Sequence, residues 1–240
     1  MLPILFQSKH FVLYSYPLLM GLAWGIGYQF FFHHIGDQDR GKAQFLFWGT
    51  FLSAWLGAKS LFLLTAGDSL SSDFVSSASF WMGGGFVFYG GLIGGALFFL
   101  LYHLIFGLSS LWVKWSVISL VLGHGIGRIG CFLAGCCYGE KTDWWWGIHL
   151  HGHERHPTQL IEALFLITLA LYLKRLKSPQ FVLIVYGISY GVLRFILEML
   201  RGDQLRGEWA WGLSPSQWIS LSLVILVICY ALNVFRLKTK

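Results

Sequence analysis

Apolar residues run along this chain in long blocks, broken by short polar stretches, rather than alternating with charge. Phe11–Phe32 contains no Asp, Glu, Lys or Arg. Gln44–Ala66 holds only Lys59, and Gly84–Phe106 only a histidine. Leu111–Ala134 holds Lys114 and Arg128, Thr158–Leu173 holds Glu162, and Phe181–Leu200 holds Arg194 and Glu198. Gly212–Phe235 is again free of charge. A helix that crosses a bilayer needs about 20 mostly apolar residues. The blocks therefore predict an all-α, polytopic integral membrane protein: one transmembrane domain over residues 1–240, with seven spans and the fifth the shortest. The first block is longer than the roughly 7–15 residues of a signal-peptide core, and no A-x-A-like site follows it. It is expected to stay in the mature protein.

Composition agrees. Of 240 residues, 56% are apolar and 12% charged, against about 25% charged in a soluble domain. Mean hydropathy is +0.63. A disordered chain, a disulfide scaffold and a nucleic-acid-binding domain are excluded, so the net charge of +6 has another meaning. With seven spans, one side collects Arg40, Lys42, Lys114, Lys174, Arg175, Lys177, Arg236, Lys238 and Lys240. The other collects Lys9, Lys141, Arg155, Arg201 and Arg206. The positive-inside rule then predicts an outside N-terminus and a cytoplasmic C-terminus. Trp144–Trp146 fall on the outer side, where tryptophan anchors at the interface.

Ionisable residues inside a span are costly, about 2.5–3.5 kcal/mol each at a helix centre, and so tend to mark a site. In the sixth block, Tyr186, Tyr190, Arg194, Glu198 and Arg201 follow one another at steps of four or three. At about 100° per residue they share one helix face. The fourth block carries Gly123-His124-Gly125-Ile126-Gly127-Arg128-Ile129-Gly130-Cys131. The third carries Gly83-Gly84-Gly85 and then Tyr89-Gly90-Gly91-Leu92-Ile93-Gly94-Gly95. Glycine at this density lets a neighbouring backbone or a ligand come close. The fifth opens on Arg155-His156-Pro157, and His156, Gln159 and Glu162 fall roughly on one face. His156 and Glu162 are expected to be structural, with Glu162 facing polar partners in the bundle.

Four of these segments carry a resemblance. Gly90-Gly91-Leu92-Ile93-Gly94, Gly127-Arg128-Ile129-Gly130, His156-Pro157-Thr158-Gln159-Leu160-Ile161-Glu162 and Tyr190-Gly191-Val192-Leu193-Arg194-Phe195-Ile196-Leu197-Glu198 are similar, in order and spacing, to motifs of the prolipoprotein diacylglyceryl transferase family. The resemblance spans about Val12 to Ile228. It implies an enzyme of the bacterial inner membrane. Such an enzyme moves diacylglycerol from phosphatidylglycerol to the cysteine thiol of a lipobox-containing prolipoprotein and releases glycerol phosphate, with no cofactor. It also implies that Arg128, Arg194, Glu198 and Tyr89 are catalytic. Tyr190, Tyr16, Gly90, Gly91, Gly127, Arg201 and His156 would contact substrate. Arginine suits the donor, because its planar fork binds phosphate bidentately and keeps its charge in a membrane.

The chain departs from the family pattern in places. Tyr89 stands where the family has a histidine, and a phenol of reference pKa near 10 is a poor base at neutral pH. Cys131 and Cys136 stand where an asparagine and a glutamate are usual, and Lys59 where arginine is common. Cys131, Cys136 and Cys137, with His149, His151 and His153, are the ligand types zinc takes. Their spacing fits no standard zinc motif, so no metal is expected and the cysteines are read as small buried side chains. Two alternatives stay open: a paralogue with another acceptor, and a lipid or ion transporter, since buried Arg–Glu pairs also line transport paths. The missing internal repeat weighs against a transporter.

Overall fold

The computed structural model describes residues 2–8, 12–36, 39–66, 75, 87–202 and 210–238. Among these, seven long helices follow the apolar blocks: α1 Ser15–Ile35, α2 Arg40–Ala66, α3 Phe88–Phe106, α4 Ser110–Ala134, α5 Thr158–Arg175, α6 Pro179–Met199 and α7 Pro215–Lys238. Four of them, over Arg40–Leu64, Ser110–Ala134, Pro179–Met199 and Pro215–Arg236, are long and apolar enough to cross a membrane. The chain is thus mostly helical, with the build of an integral membrane protein. Lys9, Phe11, Gly83–Gly85, Arg206, Lys240 and the Tyr89 side chain lie outside what is described.

Two short antiparallel hairpins add to the all-α picture. β1 (Ile4–Gln7) pairs with β2 (Val12–Tyr14). The first helix therefore begins at Ser15, several residues later than the apolar block. β3 (Ile148–Leu150) pairs with β4 (His153–Arg155). Its turn residues His151 and Gly152 both have positive φ, 51° and 76°, as a type I′ hairpin turn requires.

The chain divides into two compact units, Met1–Phe31 with Ser110–Lys240, and Phe32–Ser109. In the second unit α2 packs on α3 through small residues. A side chain on Gly90 would strike the Gly57 carbonyl, and one on Gly94 the Ser53 carbonyl. Small residues four apart on both helices allow this close approach, and van der Waals packing is what joins helices in lipid. Tyr102 adds a hydrogen bond from its hydroxyl to the Lys42 carbonyl at 3.0 Å, and Lys59 is buried.

In the first unit α4 packs on α5, and α6 on α7. The α4 glycines are divided between two neighbours. Gly123, Gly127 and Gly130 lie against Ala23, Met20 and Leu19 of α1, while Gly125 lies against Ala163, Leu166 and Ile167 of α5. Val227 and Val224 of α7 fill the notches left by Gly187 and Gly191 on α6. At one end, backbone hydrogen bonds tie three segments together. Gly139 donates to His156, His156 and Leu200 frame Glu140, and Gly202 donates to Tyr138. The loop after α4, the start of α5 and the end of α6 are joined there.

Candidate functional site

Two carboxylates organise the polar interior of the first unit. Glu162, on α5, is buried and meets three side chains from two other helices. Arg128 Nε of α4 lies 3.0 Å from its Oε2, and His124 Nε2 lies 3.7 Å from its Oε1. The Tyr190 hydroxyl of α6 donates to Oε1 at 3.1 Å. The His124 and Tyr190 rings meet edge-on at 5.2 Å, and Tyr186 stacks on Tyr190 at 5.8 Å. One carboxylate thus ties α4, α5 and α6.

Glu198 organises the second cluster. Arg194 Nη2 lies 2.5 Å from Glu198 Oε2, one turn away on α6, and also donates to Ser216 Oγ of α7 at 3.4 Å. Ser214 donates from its hydroxyl to Glu198 Oε1 at 3.1 Å. The same serine caps α7: its Oγ accepts from Gln217 N, and its own N donates to Gln217 Oε1. This is a capping box with Pro215 at the first helical position. The helix start is thereby fixed against the ion pair. Arg194 is 8% exposed, and its Nη1 has no hydrogen-bond partner among the described residues. Both Arg128 and Arg194 lie within electrostatic reach of Glu162 and Tyr190, so the two clusters form one polar region.

The remaining predicted residues fall as follows. Tyr16, in the first turn of α1, is within electrostatic reach of Arg128, Cys131, Cys136 and Cys137. Arg201 bridges to Gly139 just beyond α6. His156 accepts a hydrogen bond from Trp146 Nε1 at 2.9 Å, while Trp144 and Trp145 are exposed. Gly127 sits against Met20, and Gly90 and Gly91 against α2; their openings are filled by neighbouring helices. Tyr89 opens α3 in the second unit. Sequence reasoning assigned no role to His124, Ser214 or Ser216. The four-residue step from His124 to Arg128, on one helix face, was a signal for the first of them.

The cysteines depart from expectation: Cys136 is exposed, Cys131 and Cys137 are half-buried, and none is fully buried. The end of α4 brings them together. Cys136 N donates to the Cys131 carbonyl and Gly135 N to the Phe132 carbonyl, both at 3.1 Å. Gly135 has φ 76°. This is a Schellman cap, which sets the residue after the glycine beside the last turn of its own helix. Both positions are cysteine here. Cys137 has φ 62°, and the three sulfurs lie within 4.8 Å of one another. Gln159 Nε2 donates to the Cys136 carbonyl at 2.6 Å, Thr158 Oγ1 to the Cys137 carbonyl at 3.0 Å, and His151 Nε2 lies 2.8 Å from the Gly135 carbonyl. Hydrogen bonds from the Cys131 and Cys136 thiols, helped by Arg201 and Arg128, hold the Cys137 thiol below the ordinary range.

A mostly helical membrane protein with two buried Arg–Glu pairs converging on one polar region is suited to holding an anionic group inside a bilayer. Comparison with known proteins narrows that class. Residues 3–233 match the family described as prolipoprotein diacylglyceryl transferase, and the chain belongs to this family. A phosphatidylglycerol–prolipoprotein diacylglyceryl transferase of Clostridium tetani is 39% identical over 65% of this chain and 67% of its own length. A second enzyme of that name, from Clostridium perfringens, is 35% identical over 92% of this chain and 91% of its own. One from Methylobacillus flagellatus is 31% identical over 84% and 81%.

Proposed function

We propose that Arg128 and Arg194 receive the phosphate of phosphatidylglycerol while its diacylglyceryl group moves to the cysteine thiol of a prolipoprotein. The chain is a diacylglyceryl transferase; the placement of its donor is our reading. The observation that carries it is Arg194. Glu198 and Ser216 take one guanidinium nitrogen, and the buried Nη1 is left over among the described residues. A buried N–H without a partner costs about 1–3 kcal/mol, and an anionic oxygen would supply that partner. As the glycerol carbon–oxygen bond breaks, charge grows on the leaving phosphate. Two fixed guanidiniums stabilise that growth.

The carboxylates have a second task. An isolated buried guanidinium is expensive, and pairing makes it tolerable. Glu162 and Glu198 thus hold the two forks in place within a set whose resting charges cancel. Tyr190, Tyr16 and Arg201 line the approach, with His156 at its edge. The phenol of Tyr89 is suited to hydrogen-bond donation rather than to acting as a base at neutral pH. All seven helices cross the bacterial inner membrane, with the N-terminus outside, so that the acceptor meets the enzyme on the outer face.

Incubating the purified protein with phosphatidylglycerol and a lipobox peptide, followed by mass spectrometry, tests the reading. The peptide is expected to gain the mass of one diacylglyceryl group. Lipid movement between vesicles without any adduct would overturn it in favour of transport.

A further inference from the structure

We propose that Cys131, Cys136 and Cys137 form a zinc site at the end of α4, with the acceptor's cysteine thiol as its fourth ligand. The second half of this proposal rests on the transferase reading above; the first half does not.

The geometry supports a metal. Zinc–sulfur bonds of about 2.3 Å in a tetrahedron set the sulfurs about 3.8 Å apart. The three sulfurs already lie within 4.8 Å of one another, so closure needs a shift of about 1 Å at most. Side-chain rotation supplies that, because the backbone is already held. The Schellman cap places Cys136 over Cys131. Gln159, itself buried, and Thr158 grip the carbonyls of Cys136 and Cys137. Soft thiolates select zinc or copper(I) over hard cations. Three protein ligands with one position open are the pattern of a catalytic zinc, whereas structural sites close with four.

The location supports the acceptor. Arg128 and Arg201 both lie within electrostatic reach of Cys137, and Tyr16 within reach of all three sulfurs and of Arg128. The cluster therefore adjoins one of the arginines that hold the donor. Two guanidiniums there offset the negative charge of a zinc carrying three or four thiolates. The chemistry has a need for it as well. A thiol of pKa about 8.5 is mostly protonated at neutral pH, and the thiolate is the nucleophile. A thiol that binds zinc is deprotonated outright. On binding, the acceptor S–H bond breaks and its proton passes to solvent. The sulfur pair then forms the bond to the diacylglyceryl carbon as the carbon–oxygen bond breaks, and that bond's electrons leave on the glycerol phosphate oxygen. The neutral thioether product is a weak ligand and departs.

The test uses the full chain in detergent, purified without chelator. Elemental analysis is expected to find about one zinc per chain, the stoichiometry of a single mononuclear site. Cobalt(II) added to the zinc-stripped protein should give thiolate charge-transfer absorption. Cys131→Ser and Cys136→Ser should lose both signals, and Cys229→Ser, on the exposed side of α7, should keep them. Wild-type protein that takes up neither metal, or that carries a disulfide between two of the three cysteines, would overturn the site without recourse to any variant. For the acceptor role, stripping zinc should slow transfer to a lipobox peptide by about 10-fold or more at pH 7. The gap should narrow above about pH 8.5, where the free thiol ionises by itself. Undiminished transfer by zinc-free protein would overturn the acceptor role alone. Zinc-loaded protein that never transfers would overturn the transferase reading and leave the site standing.

Discussion

The two buried Arg–Glu pairs have the same chemistry and opposite construction. Arg194 and Glu198 are one turn apart on α6, so the helix makes the pair before any tertiary packing. Arg128 and Glu162 stand on different helices, and only the docking of α4 against α5 brings them together. Among the described residues, the first pair leaves a guanidinium nitrogen without a partner. The second shares its carboxylate with Tyr190 and His124. The difference suggests a division of labour between the carboxylates, in which Glu198 orients a guanidinium with a donor to spare and Glu162 also holds the bundle together.

Removing Glu162 is the largest test of that division. Glu162→Gln leaves Arg128 buried without its counter-charge, a change that typically costs about 3–5 kcal/mol. Thermal unfolding in detergent should therefore fall sharply, while specific activity of the surviving folded fraction falls less. Glu198→Gln also leaves a buried guanidinium without its counter-charge, so it should lose stability too, and its folded fraction should in addition show a large loss of turnover. A fully folded but inactive Glu162→Gln protein would erase the distinction between the pairs.

Next come the arginines themselves. Arg194→Ala and Arg128→Ala should each lower turnover by about 10²–10³, as the loss of an oxyanion donor does. Arg194→Lys should be severely impaired too, since an ammonium keeps the charge but not the fork. Near-normal turnover in either alanine variant would remove that arginine from the donor site.

Tyr89→Phe should cost about 10- to 100-fold, or about 1.4–2.7 kcal/mol on the activation scale, if the phenol positions the donor by a hydrogen bond. Profiles from about pH 6 to 10 for wild type and variant should then run parallel. A high-pH limb present only in the wild type would instead make the phenolate the base. Smallest is Ser214→Ala, which removes the α7 cap and the hydroxyl on Glu198. It should cost about 1 kcal/mol of stability, read as a modest drop in melting temperature, with a slight loss of turnover.

The helical blocks were legible because a bilayer demands long apolar runs, and few other folds write them. Their edges were less so. Residues Val12–Tyr14 are as apolar as the helix they precede, yet they pair with Ile4–Gln7 as strand. The glycines announced close approach correctly without saying to what. In α4 they receive α1 and α5, and in α3 they receive α2. The cysteines were judged by metal-motif spacing, and their real signal was a different one. Cysteine at both ends of a helix C-cap, Cys131-x-x-x-Gly135-Cys136, brings its thiols together through the cap geometry itself.

By itself the amino-acid order determined whatever a single helix can express: the apolar lengths, the stripe from Tyr186 to Arg201, the Arg194–Glu198 pair and the motifs shared with the family. These depend on separations of a few residues, over which helix periodicity fixes direction. Tertiary structure alone decided that Glu162 is the counter-ion of Arg128, that Ser214 and Ser216 complete the Arg194 cluster, and that Gln159 and Thr158 grip the cysteine loop. Those partners are between about 16 and 34 positions apart in the chain, and no local periodicity relates them. Which faces meet is set by where glycine lets helices come closest, and in lipid that packing, rather than a hydrophobic drive, chooses the neighbour.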